Sequence, residues 1–196
     1  EFRKKPLFEF KTGVGQAYQD IFRTRSELLK LEDEFADLSN FARIFEFPEL
    51  MEPTRALQDQ CHSELQQIVQ MWHMVDMIEY QVGQWKTTLW NDIDCESMEE
   101  RAKGLFKQLR SQDKFVKQTD CFVVCEQNVK NFLSTIPLVS DLRHPSMRDR
   151  HWKMLMDLTG VKFVIDDAFK LDDLLRLELH KFEDDVGEIV NRAQKE

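Results

Sequence analysis

Between Gln16 and Phe45 the apolar residues fall on two lines of a heptad. Ile21, Leu28, Phe35 and Ala42 form one line and Leu31, Leu38 and Phe45 the other, with Thr24 alone interrupting the seam. A seam held over roughly thirty residues predicts a helix of ~45 Å, too long for a small domain unless it packs along a partner of similar length. Phe47-Pro48 and Glu52-Pro53 then punctuate a short connection, Pro53 suiting a first helical position. Leu57, Cys61, Leu65, Ile68, Trp72, Val75, Val82 and Leu89 resume a 3/4 spacing as far as Trp90. The first two helices are therefore expected to form an antiparallel hairpin.

Further helices follow. Ser97-Met98-Glu99-Glu100 reads as a capping box opening a third helix with Met98, Ala102, Leu105, Phe106 and Leu109 on its apolar face. The pattern lapses near Gln112 and resumes as Phe122, Cys125, Val129, Phe132 and Leu133, which predicts a break. Ile136-Pro137 is expected to close that segment, leaving Thr135 to Pro145 as a connection, because a residue before proline avoids the helical region. Ser146-Met147-Arg148-Asp149 opens a short helix that turns Trp152, Leu155 and Leu158 inward and stops at Gly160. Val161 to Asp167 suits an extended segment, and one last helix is expected from Leu171 to Ala193. The fold class that results is all-α, an elongated bundle of long antiparallel helices with short connections.

Composition supports this reading. Six glycines and five prolines in 196 residues are too few for a sandwich or barrel, which needs turn residues every 8 to 12 positions. A hydrophobic fraction of 42% argues against disorder. Five acid–base pairs at i,i+4 (Glu99/Lys103, Asp113/Lys117, Glu126/Lys130, Asp149/Lys153, Glu188/Arg192) contribute only ~0.2 to 0.5 kcal/mol each. Burying one tryptophan of about 200 Å² rivals all five, so the apolar seams decide the fold. The net charge of −9 disfavours nucleic acid and anionic membrane as partners. The longest uncharged stretch, Leu65 to Val75, is far shorter than the ~20 residues a membrane helix needs, and Glu9 and Lys11 break any signal-peptide core. Four cysteines at no framework-like spacing read as reduced thiols, so a soluble intracellular chain is expected.

The search for reactive groups yields little. Gly13-Val14-Gly15 begins a dinucleotide turn, but Tyr18 stands where the third glycine belongs. Cys121 and Cys125 share a helix face at a spacing zinc could use, yet a second pair would have to come from distant residues such as Cys61 and His62, and packing is the better reading. Cys95 sits between Asp94 and Glu96, acids that raise a thiol pKa. The histidines make no HExxH pair, and His73 and His180 have no neighbour that spacing would supply. Asp172 and Asp173 suit a helix start, while the other acidic clusters fail the calcium-loop spacing. No catalytic, cofactor or metal site is assigned, and the chain is expected not to be an enzyme. Phe2, Phe8 and Phe10 have no helix to sit on and are expected to dock a neighbouring surface outside this chain.

One string stands apart: Ile136-Pro137-Leu138-Val139-Ser140-Asp141-Leu142-Arg143-His144-Pro145-Ser146-Met147-Arg148-Asp149-Arg150-His151-Trp152. It resembles the linker region of dynein heavy chains, where an apolar-Pro stretch, a Leu and a Met-Arg-x-Arg-His-Trp run recur together. Leu171-Asp172-Asp173-Leu174-Leu175 and Ile189-Val190-Asn191-Arg192-Ala193-Gln194-Lys195-Glu196 are similar to the next helix of that region. The whole is more similar to axonemal than to cytoplasmic heavy chains. The resemblance implies an N-terminal extension (1–14), a long-helix bundle at the tail–linker junction (15–135) and a linker segment (136–196) whose pattern in the family continues past Glu196. It further implies a non-catalytic lever that carries nucleotide-driven change of an AAA+ ring to the tail.

ATP and Mg would then belong to the ring and not to this stretch. The implied partners are the ring of the same heavy chain, and intermediate chains, light chains or neighbouring heavy chains through the tail. Microtubules would be reached only through other domains, in the cytoskeleton of a cilium or flagellum. Pro137, Leu142, Arg148, Arg150, His151 and Trp152 are the candidate motif residues, shaping a corner between subdomains or docking the ring. Trp152 would anchor that corner, with Arg148 one turn away over its ring. The alternative from another class is a spectrin-like scaffold binding partners through an exposed helix face, although no repeat of about a hundred residues is present.

Overall fold

The computed structural model describes residues 2–196. Among them the regular structure is helical: α1 (Val14–Ile44), α2 (Glu52–Lys86), α3 (Cys95–Arg110), α4 (Asp120–Leu142), α5 (Asp149–Thr159), α6 (Leu171–Leu175) and α7 (Glu183–Lys195), with short 3-10 turns between them. The expected all-α class holds. No helix of the described residues is long and apolar enough to cross a membrane. The chain divides into two compact units, Glu1–Asp76 with Ser111–Cys125, and Met77–Arg110 with Glu126–Glu196.

In the first unit α1 and the leading part of α2 run antiparallel, as the heptads predict. Tyr18 Oη lies 2.8 Å from His73 Nδ1, and His62 Nε2 lies 2.8 Å from Glu32 Oε1. Further along the hairpin the Arg55 guanidinium sits 5.7 Å from the centre of the Phe35 ring. His73 thus has the partner that local spacing could not supply, because the partner comes from the opposite helix.

The seam is buried over only half its length. Ala17, Ile21, Thr24 and Leu28 are at most 6% exposed, as are Leu65, Ile68, Met71, Trp72 and Val75 on the facing helix. Thr24, read as an interruption, lies inside the seam. Beyond it Leu31, Leu38 and Phe45 are 53%, 58% and 68% exposed, and Leu57 is 61% exposed. The second heptad line therefore does not face α2 there.

Residues 2–12 account for the buried half. They form three successive 3-10 turns beside the hairpin, with Leu7 and Phe8 buried. The buried indole N–H of Trp72 donates to the Leu7 carbonyl at 2.7 Å. Phe8 meets Phe2 and Phe115 edge-on, with centroids 5.4 and 6.0 Å away. Phe2 and Phe8, expected to dock a surface outside the chain, instead pack within it. Arg3 pairs with Glu64, and this hydrogen bond holds the Glu64 carboxyl below its ordinary pKa.

The second unit holds a continuous apolar core contributed by α3, the later part of α4, α5, α6 and α7. Helix α3 starts two residues before the expected cap, because Asp94 Oδ1 accepts the Ser97 N–H at 3.0 Å and does the capping itself. The break after α3 falls where the pattern lapses. Two of the anticipated surface pairs close, Glu99–Lys103 at 2.6 Å and Glu126–Lys130 at 2.8 Å.

Helix α4 does not end at Pro137; it runs through it to Leu142. Proline inside a helix costs about 3 kcal/mol. Around it Ile136, Leu138, Val139 and Leu142 are at most 8% exposed, and burying each contributes roughly 1.5 to 3 kcal/mol, which more than offsets the proline. Pro137 itself is exposed, so its ring lies on the face that packs against nothing.

The single helix expected from Leu171 to Ala193 is broken into α6, a 3-10 turn (Leu179–Lys181) and α7. Leu177 and Leu179 are 3% and 0% exposed, and residues two apart cannot share one face of a helix. The chain reverses between them at Glu178, which adopts a left-handed conformation (φ 50°). Asp173 caps α6 by accepting the Lys170 N–H at 3.0 Å, consistent with the helix-start reading of the acidic pair. Val161–Ile165 carries no regular structure, and strand-like pairing is confined to an isolated antiparallel bridge between Leu89 and Lys170.

Candidate functional site

Four of the motif residues, Arg148, Arg150, His151 and Trp152, lie at the start of α5 in the second unit, while Pro137 and Leu142 lie on α4. Helix α5 opens after Arg148, whose extended backbone (φ −119°, ψ 168°) sets the helix start, and closes at Gly160, in the left-handed region at φ 71°. The Gly160 N–H donates to the Met156 carbonyl at 2.9 Å. The stop at Gly160 matches the sequence signal, while the helix starts at Asp149, three residues past the Ser146 that opened the expected one.

Trp152 is half-buried in an aromatic cluster. It meets Trp90 edge-on at 5.9 Å and Phe163 at 6.1 Å, Trp90 meets Phe169 at 5.8 Å, and Phe163 stacks on Phe169 at 5.6 Å. Two backbone bonds hold the segments that bring these rings together. The Trp90 N–H donates to the Phe169 carbonyl at 2.8 Å, and the Leu171 N–H donates to the Thr88 carbonyl at 3.0 Å.

The cation over this cluster is not Arg148, which is exposed at the mouth of α5 on non-helical backbone and so is not stacked one helical turn from Trp152. Arg143 takes the place, its guanidinium 6.0 Å from the Trp90 ring centre. The same group donates to the Ile93 carbonyl and, at 3.2 Å, to the Asn91 carbonyl. A planar fork with five donors suits this work, gripping a loop by its carbonyls while its face covers an indole. Arg143 also lies beside the Cys95 thiol, whose pKa burial pushes up and the guanidinium partly restores.

His151 is fully buried. Its Nδ1 accepts the Arg148 N–H at 3.2 Å, and its Nε2 lies 3.2 Å from Glu196 Oε2 and 3.4 Å from Arg150 Nε, whose N–H points to it. Arg150 pairs with the same carboxylate. Burial, followed by the charges of Arg150, Arg148 and Arg192, holds the His151 pKa below its ordinary value, so the ring works as a neutral cap and bridge. Leu142, at 1% exposure, belongs to the apolar core, and Pro137 lies on the outer face of α4.

The structure thus joins Arg150, His151 and Glu196 in one polar node and Trp152 in an aromatic one, while Arg148 and Pro137 stand at the surface. Sequence reading passed over Arg143, Trp90, Phe163 and Phe169. Nothing periodic marks them, since they lie in connections or at helix ends. The available hint was a surplus of aromatic residues off the helical stripes. Among the described residues no group of three or more His, Cys, Asp or Glu side chains is placed to hold a metal ion. The corner is held by packing and hydrogen bonds.

The family described as dynein heavy chain, N-terminal region 2, matches residues 58–196. The chain is 45% identical over its whole length to the dynein alpha chain of the flagellar outer arm of Chlamydomonas reinhardtii. It is 38% identical over 98% of its length to the dynein beta chain of the same arm and organism. To dynein axonemal heavy chain 17 of Homo sapiens it is 35% identical over its whole length. In each case it spans 4% of the relative's length.

Proposed function

The chain belongs to the dynein heavy chain family, as a segment of its N-terminal region, and from that premise we propose that it is a non-catalytic lever element of the linker. In this reading an AAA+ ring elsewhere in the heavy chain binds ATP and Mg and changes shape as nucleotide turns over. The segment passes that change to the tail. Its place is the axoneme of a cilium or flagellum, with microtubules reached through other domains and the associated chains or neighbouring heavy chains met through the tail.

The observation that carries the proposal is the corner around Trp152. Force passes through a protein only where elements cannot yield separately. Here α5, the loop Trp90–Ile93 and the segment up to Phe169 are tied by four aromatic rings, Arg143 and two backbone bonds. Bending at this point would open close-packed contacts, and packed interiors switch between discrete arrangements more readily than they deform.

A test uses the intact heavy chain carrying Trp152→Ala. Microtubule gliding should slow several-fold while ATP hydrolysis persists, because the ring still turns over but its stroke is taken up by a softened corner. Gliding and hydrolysis both at the parent level would refute the lever. The scaffold reading has the exposed apolar residues of α1 in its favour, and it predicts that unchanged result.

A further inference from the structure

We infer that the outer half of the α1–α2 hairpin, residues 29–63, is a conformational element in its own right, which splays and recloses about Leu28 and Leu65 while the inner half stays packed. The inference concerns the first unit alone and is independent of the lever proposal.

Burial sets the boundary. In the inner half Ile21, Leu28, Leu65, Ile68 and Trp72 are each at most 6% exposed. Residues 2–12 fasten this part from outside, through Leu7 to Trp72, Lys5 to Glu27 and Arg3 to Glu64. From 29 to 63 no described residue is buried. The step falls at matching levels on the two helices, since Glu32 of α1 meets His62 of α2 just beyond it.

The residues that face each other beyond the step explain it. Past Leu28 the half-buried positions of α1 are 32, 35, 39 and 42, which continue the stripe toward α2. Two of them are Glu32 and Ser39, and Gln58 and His62 hold half-buried positions of α2. The leucines suited to such a seam, Leu31 and Leu38, come one residue earlier, which turns them about 100° around the helix and into solvent. A seam with polar residues at its facing positions gives up apolar burial and must also satisfy the groups it encloses. This one leaves them unsatisfied. Ser39 Oγ, Gln58 Nε2 and His62 Nε2 are shut off from solvent without a hydrogen-bond partner among the described residues, and the fourth such atom there is Gln67 Oε1. His62 Nε2 lies 2.8 Å from Glu32 Oε1 but out of line for a hydrogen bond. Opening returns these groups to water and uncovers only half-buried apolar side chains such as Phe35 and Ala42. The closed tip is held by the Arg55 guanidinium over Phe35 and by its turn, where the Phe47 N–H donates to the Ala42 carbonyl at 2.8 Å. A segment tied this weakly beside a well-packed one opens locally and as a unit.

The test is amide hydrogen exchange, followed peptide by peptide in the intact heavy chain. Amides across 29–63 should exchange about 100-fold faster than those of 17–28 and 65–75, at one common level of protection with a step at Leu28 and Leu65. Ser39→Leu combined with Gln58→Leu fills the seam with apolar side chains and should slow exchange across the tip by about tenfold, leaving 17–28 unchanged. Ser39→Ala removes one orphaned hydroxyl without adding bulk and should slow it about threefold even where the two leucines fit poorly. Equal protection in the two halves would overturn the inference. So would a smooth gradient rising from the turn, which is end fraying, or tip exchange that neither variant slows.

Discussion

Replacing Trp152 with alanine in the 196-residue chain tests the corner on its own. The indole is half-buried and lies edge-on to Trp90 and Phe163 at 5.9 and 6.1 Å. Removing about 150 Å² of buried ring at ~25 cal/mol/Å² costs about 3 to 4 kcal/mol. The two edge-to-face pairs add roughly 0.5 to 1.5 kcal/mol each, and partial collapse of the site returns some of the total, so about 3 to 5 kcal/mol is expected. For a chain of this length that corresponds to a fall in Tm of about 6 to 20 °C. Thermal melting followed by near-ultraviolet circular dichroism reads the effect, because the signal comes from the packed aromatic rings. Trp152→Phe should recover about half of the loss, as a smaller ring still reaches one neighbour. A shift below about 1 °C, or a phenylalanine variant as unstable as the alanine one, would show that the cluster does not hold the corner.

Pro137→Ala should raise stability by about 1 to 2 kcal/mol, since the helix already passes through this exposed position and alanine restores a backbone N–H; urea unfolding reads the gain. Arg143→Gln should cost about 2 kcal/mol and speed amide exchange at Ile93 and its neighbours, where the guanidinium grips carbonyls; unchanged exchange there would discount the clamp. The His151 pKa lies below its ordinary 6.5, so between 6.5 and the lowered value the unfolded chain binds more protons than the folded one. That contribution to stability is therefore complete above 6.5 and falls away as pH drops through the lowered value. The facing groups are Arg148, Arg150 and Arg192, which oppose protonation, and Glu196, which favours it. His151→Asn should flatten this part of a denaturation-versus-pH profile, and a profile as steep as the parent's would remove His151 as its source.

What the sequence revealed follows from how local each signal is. Helices with one buried stripe announce themselves through spacing, so α1, α2 and the stop of α5 were readable. The heptad could not say which of its lines had a partner, and Leu31, Leu38 and Phe45 were placed in a seam that closes only as far as Leu28. Pro137 and Glu178 failed in opposite directions for one reason. Burial of Leu138, Val139 and Leu142 carried a helix through a proline, and burial of both Leu177 and Leu179 broke a helix that propensity would have continued. The motif string located the corner, but its geometry depends on Trp90 and Arg143. These meet across more than fifty residues, a distance over which no periodic pattern operates.

The central proposal is that the second unit, Met77–Arg110 with Glu126–Glu196, moves as a body when the ring changes nucleotide. The most direct measurement is energy transfer between one fluorophore on α5, at exposed Lys153, and another on the ring of an intact heavy chain, followed through ATP binding and product release. The account predicts two discrete distances that exchange with nucleotide state and that merge or broaden when Trp152 is replaced by alanine. A single distance, the same in every nucleotide state, would contradict it.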